Sequence, residues 1–80
     1  MRLDKFLKVS RLIKRRTLAN EACDAGRVQV NGRPQRASYE VKAGDILELS
    51  LGARKLKCRV LHVTETAAKD EASGMYVLEE

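Results

Sequence analysis

Residues 17–32, TLANEACDAGRVQVNG, change period in the middle, and that change decides the fold. Leu18, Ala19, Ala22 and Cys23 recur at helical spacing. Thr17 is an expected N-cap, because its hydroxyl can accept from a free amide of the first turn. Gly26 suits the left-handed position just past a helix end. The spacing therefore predicts a helix over about 17–25. From Arg27 the pattern alternates, with Val28 and Val30 facing one way and Arg27 and Gln29 the other. Asn31-Gly32 is a tight-turn signal between strands.

Upstream, Leu3, Phe6 and Leu7 set a short amphipathic helix over about 2–9. Residues 10–16 form a basic connection in which Leu12 and Ile13 turn inward. Downstream, Pro34 opposes a central strand, so 33–40 reads as an irregular or edge segment. Ala43-Gly44-Asp45 marks a turn. Ile46, Leu47, Leu49 and Leu51 fit a strand, and Gly52-Ala53 turns the chain. Leu56, Cys58 and Val60 alternate with Lys57 and Arg59, after which Leu61 and Val63 shift phase, as a bulge or twist would. Residues 66–73 suit a short helix ending at Gly74. Met75, Tyr76 and Leu78 read as a closing strand with side chains in the core. The plan is α+β: two short N-terminal helices packed on a small antiparallel sheet. Eighty residues allow one domain over 1–80, with a core of about 1–63 and a helix and closing strand in 64–80.

Charge is unevenly placed. Residues 1–36 carry ten Lys/Arg against three acids, a balance of +7, and residues 37–80 carry six against eight, a balance of −2. Such asymmetry points to one polyanion-binding face, for nucleic acid or an anionic membrane surface. The membrane reading is the weaker, since Leu3, Phe6 and Leu7 are needed for the core. The spacing of Arg2, Lys5, Lys8 and Arg11 places them on one helical face if the helix runs that far. Arg15 and Arg16 precede the second helix, and Arg27, Arg33 and Arg36 come from the start of the sheet. Asp4 is a lone acid in the basic helix. It suits the helix N-terminus or a pair with Lys8, and equally a contact to a basic partner or an orienting salt bridge to Arg16.

No enzyme chemistry is signalled. His62 has no evident base, nucleophile or metal partner, and no phosphate loop or metalloprotease motif occurs. No cofactor or metal is expected. Cys23 and Cys58 read as buried free thiols of a reducing cytosol. With no apolar run of membrane-spanning length and no signal peptide, a cytoplasmic protein is expected. Phe6, Tyr39 and Tyr76 are the only aromatics, so an aromatic stacking platform is not the expected mode of binding. Tyr39 reads as core or rim packing on the sheet in preference to stacking on a base, and Asn31 mainly as a turn device that can also present its amide to RNA.

Met1 to Leu7, Ser10-Arg11, Arg15-Arg16-Thr17, Ala22, Gly26, Val28, Val30-Asn31-Gly32 and Gly44-Asp45 together resemble the S4-type RNA-binding domain, named after a small-subunit ribosomal protein. The length, the Lys14-to-Ala19 run, Met75-Tyr76 and the Glu79-Glu80 ending resemble its stand-alone bacterial RqcP group. The related heat-shock protein fifteen group has a longer basic tail. The resemblance implies a non-catalytic factor that binds the obstructed large ribosomal subunit through rRNA and peptidyl-tRNA. It also implies support of RqcH in adding alanine tails to stalled chains. Carried over by position, the RNA surface falls on Arg2, Lys5, Arg11, Arg15, Arg16, Thr17 and Asn20, and on Asn31, Gly32 and Arg33 at the turn. Asp4 is the orienting or partner-contacting acid. The loop at 52–55 is less typical and takes no role. A monomer is expected, with no DNA partner, because the second helix offers few base-reading side chains beyond Asn20 and Glu21.

Overall fold

A computed structural model describes residues 1–64, 72 and 74–79. Two helices, α1 (Leu3–Val9) and α2 (Arg16–Asp24), precede five strands: β1 (Val28–Val30), β2 (Arg33–Pro34), β3 (Ile46–Leu51), β4 (Arg54–Val60) and β5 (Tyr76–Leu78). The strands form one antiparallel sheet in the order β2-β1-β3-β4-β5. Both helices cover the same face of it. Leu3, Phe6 and Leu7 from α1 and Ala19, Ala22 and Cys23 from α2 meet Val28, Val30, Leu47, Leu49, Cys58 and Val60 from the sheet. Complete burial of Phe6, Leu7 and Leu47 contributes about 1.5–3 kcal/mol for each side chain.

The switch from helix to strand falls where the periodicity places it. Gly26 is left-handed (φ +78°), and Ser50 N–H then donates to the Arg27 carbonyl as β1 joins β3. Asn31 (φ +52°) and Gly32 (φ +84°) turn the chain so that Val30 pairs with Arg33. Positive φ at both central residues gives the turn the hand that twisted strands require. Pro34 sits in the edge strand β2, where its missing N–H matters least. The N-terminus is tied down separately. Leu3 N–H donates to the Tyr39 carbonyl and Val41 N–H to the Met1 carbonyl, and the terminal amine pairs with Glu40.

Three expectations are corrected. Thr17 does not cap α2: the cap is Arg15, with no capping side-chain bond, and the helix already includes Arg16. The helix starts early because Arg15 C=O accepts from Ala19 N–H while Arg16 is held by Asp4. Leu18 is 51% exposed, because the sheet covers only the Ala19–Ala22–Cys23 stripe and Leu18 lies at its border. The phase shift expected at Leu61 and Val63 as a bulge or twist is present at the end of β4, where Leu61 N–H and His62 N–H both donate to the Met75 carbonyl and Leu61 turns out to solvent. In β5, Leu78 is 59% exposed on an edge strand, while Met75, just before the strand, is the residue that fills the core. The helix expected over 66–73 lies outside the described residues, Ala72 excepted.

Candidate nucleic-acid interface

Asp4 organises the basic face. It lies on α1 and is 2% exposed. Its Oδ1 accepts from Lys5 N–H at 2.8 Å and Arg2 Nε at 3.2 Å. Its Oδ2 accepts from Asn20 Nδ2 at 3.2 Å and Arg2 Nη2 at 3.4 Å, and pairs with Arg16 Nε at 3.5 Å. One carboxylate thus joins the start of α1 to the first two turns of α2. Burial alone would raise its pKa. The hydrogen bonds from Asn20, Arg2 and Arg16, with the Arg16 charge, outweigh burial and hold the carboxyl below its ordinary value. Asp4 is therefore ionised at neutral pH. Of the readings open from sequence, the salt bridge to Arg16 is present, and Arg2 and Asn20 join it.

The guanidinium groups that Asp4 holds face water. The side chains of Arg2 and Arg16 are 50% and 48% exposed. Arg16 meets Asp4 through Nε, so its two Nη groups remain for another acceptor. Those two groups suit the paired oxygens of a phosphate. Asp4, Arg16, Thr17, Asn20 and Glu21 line one shallow hollow between the helices. Lys5 follows Asp4 and is half-buried, and Arg15 is exposed beside Arg16. Arg11 does not continue the Arg2–Lys5–Lys8 row. The helix ends at Val9, and Arg11 turns off into a left-handed conformation beside a separate hollow lined by Lys8, Arg11 and Lys14.

The hairpin group is built differently. Asn31 Nδ2 donates to Asp45 Oδ1 at 3.1 Å, and Asn31 Oδ1 accepts from Ile46 N–H at 3.0 Å. Its amide is largely spent on the turn, so Arg33, exposed on β2, is the hairpin's cation. From sequence, Asp45 is a turn residue and part of the S4-like pattern, with no bonding role assigned to it. Its Oδ2 accepts from Tyr39 Oη at 3.1 Å and Lys42 N–H at 3.0 Å, which locks the 42–45 turn to the β1–β2 hairpin. An aspartate directly after a turn glycine was the available signal. Tyr39 is partly buried against the core and tethered to Asp45, as rim packing requires.

Comparison with known proteins fits this geometry. A family model described as the S4 domain matches residues 1–47, the helices and the first hairpin. The chain is 51% identical over 78 residues to the RQC P-site tRNA stabilizing factor of Bacillus subtilis (strain 168), covering 98% of this chain and 91% of that one. The chain belongs to the S4 domain family, in the branch of these stabilizing factors. A second factor of the same name, from Halalkalibacterium halodurans, is 54% identical over 76 residues, 95% of this chain and 86% of that one. The trimeric structure of Vibrio cholerae heat shock protein 15 superposes with a TM-score of 0.91 at 28% identity, covering 99% of this chain and 81% of that one. The S4 domain expected from the N-terminal motifs is thereby established, with its two helices and antiparallel sheet.

Proposed function

We propose that this S4 domain is a non-catalytic RNA-binding factor of bacterial ribosome-associated quality control. In this reading it binds the obstructed large ribosomal subunit through rRNA and holds peptidyl-tRNA in place. RqcH then extends the stalled chain with alanine. The protein works in the cytoplasm as a monomer, without DNA or membrane partners. The observation that carries the reading is the Asp4 cluster, a buried carboxylate presenting two half-exposed guanidinium groups on the basic face of the molecule.

Recognition is of the backbone. Arg2, Lys5, Arg11, Arg15 and Arg16 neutralise phosphates and release counterions. Thr17 and Asn20 add polar contacts in the interhelical hollow. Arg33 extends the surface from the Asn31-Gly32 turn, and Asp4 orients the arginines. About five phosphate contacts give log affinity a slope of roughly −3.5 to −4.5 against log salt.

The test is co-sedimentation across a salt series with free large subunits, subunits carrying peptidyl-tRNA, and intact ribosomes. Preference for the peptidyl-tRNA sample is expected. Arg16→Ala should weaken that binding about tenfold or more, as loss of a charge-assisted contact does. A flat salt response, or an unchanged Arg16→Ala, overturns the site. The likeness to heat shock protein 15 favours one second reading, a general binder of rRNA and tRNA in ribosome recycling. That protein would bind free large subunits equally well and need no RqcH.

A further inference from the structure

Six described residues have positive φ: Arg11, Gly26, Asn31, Gly32, Gly44 and Gly52. Four are glycines and one is asparagine, the residues that accept this conformation most readily. Arg11, at φ +65°, is the exception. It ends α1 as Gly26 ends α2, yet it carries a Cβ and a charged side chain where glycine would be unstrained. The surrounding backbone fixes it there. Ser10 N–H donates to the Phe6 carbonyl and Arg11 N–H to the Lys8 carbonyl. The Leu7 carbonyl accepts from Ile13 N–H and from the hydroxyl of Ser10, which is buried.

The strained residue lines a hollow whose other walls are Lys8 and Lys14. All three side chains are exposed, and among the described residues no carboxylate lines the hollow. The contrast with the neighbouring cluster is direct, since there Asp4 compensates Arg2 and Arg16. Three like charges around one hollow repel each other, and an arginine at a left-handed position adds backbone strain. Neither helps the fold. Both costs are offset when an anion occupies the hollow.

We infer that Lys8, Arg11 and Lys14 form a second phosphate seat, separate from the Asp4 cluster, that takes a backbone phosphate of the bound RNA. Arg11 stands at a strained position for the sake of its guanidinium. This rests on the RNA-binding reading above, and the experiment separates the two.

Large subunits carrying peptidyl-tRNA are the probe, with affinity measured across a salt series. The proteins are wild type, Arg11→Asn, Lys8→Gln/Lys14→Gln and Arg16→Ala, each also melted thermally. Arg11→Asn should melt no lower than wild type, because Asn accepts the left-handed conformation, yet bind about tenfold more weakly. Its salt slope should shrink by roughly 0.7–0.9, and that of the double variant by about the same amount, because the seat takes one phosphate. Wild-type slopes in both seat variants alongside weakened Arg16→Ala would overturn the seat and leave the RNA reading intact. A lower melting temperature for Arg11→Asn would overturn the claim that Arg11 is strained for binding. Failure of the wild type to bind would overturn the RNA reading itself.

Discussion

Replacing Asp4 with Asn keeps the shape of the side chain and removes its charge. In the protein the carboxylate accepts from Lys5 N–H, from Nε and Nη2 of Arg2 and from Asn20 Nδ2, and pairs with the Arg16 Nε. An asparagine that keeps its oxygen toward Lys5 N–H turns its NH2 toward Asn20, Arg2 and Arg16, all of them donors. A hydrogen bond to a charged group contributes about 1.5–3 kcal/mol. Several are lost, but Arg2 and Arg16 are half exposed and can turn to water, so their share is small. Asn20 can also rotate its amide to offer its oxygen. The net destabilisation is therefore about 2 kcal/mol, toward the lower end of that range. For a domain of this size it lowers the melting temperature by about 8–16 °C at pH 7.

The pH dependence gives the decisive readout. The folded pKa of Asp4 lies below the unfolded one, despite burial, because Asn20, Arg2 and Arg16 favour the charged form. The folded state thus binds fewer protons than the unfolded state near that pKa. Stability from Asp4 is complete above the unfolded value of about 3.9 and is lost as pH falls through the folded value. Circular dichroism melts of wild type and Asp4→Asn from pH 7 down to pH 2.5 should converge below pH ~4. Equal melting temperatures at pH 7, or a gap that stays constant into acid, would refute the role assigned to Asp4.

Two further changes probe the second carboxylate hub. Asn31→Ala removes the bonds to Asp45 and Ile46 and puts alanine at φ +52°. It should cost about 2 kcal/mol in urea unfolding, the loss being tempered by the exposure of the turn. Tyr39→Phe deletes the 3.1 Å bond to Asp45 and should cost about 1 kcal/mol. Burial first, and the bond to Asp45 second, raise the Tyr39 pKa, so its contribution is present below about pH 10 and lost as pH rises through the folded value. Tyr39→Phe should therefore flatten the alkaline side of the stability profile, read by denaturant titration between pH 8 and 11.

What could be read from sequence depended on how local its cause was. The α2-to-β1 switch was legible because Gly26, the Val28/Val30 alternation and Asn31-Gly32 each act within a few residues. So was the edge position of Pro34, which follows from a missing donor. Thr17 shows where local rules stop. A hydroxyl before an apolar stripe looks like a cap, but Asp4, twelve residues upstream of Arg16, sets the first turn instead. Leu18 and Leu78 carry the right chemistry for the core and lie where the layers end. Asp45 was visible only as a turn residue, because its bonds to Asn31 and Tyr39 exist only after the sheet forms. The basic surface was legible as charge. Its division into a carboxylate-held cluster and an uncompensated hollow was not, because that division depends on which cations share an acid.

That division carries a consequence for how binding couples to folding. In the Asp4 cluster the carboxylate fixes the arginines before any ligand arrives, so little ordering remains to oppose binding. The same carboxylate joins α1 to α2, and a phosphate gripping Arg16 reinforces the joint it stabilises. Binding the folded state alone must then raise its stability by RT ln(1 + [L]/Kd), about 2.7 kcal/mol at a hundredfold excess of ligand over Kd. In the Lys8–Arg11–Lys14 hollow no acid among the described residues offsets the charges, so part of what a phosphate contributes there goes to relieving repulsion already present in the free protein. The two sites should therefore differ in their response to salt without RNA. Added salt weakens the attraction around Asp4 and lessens the repulsion around Arg11. Accordingly, Arg16→Ala should reduce, and Lys8→Gln/Lys14→Gln should increase, the loss of stability that salt causes in the free protein.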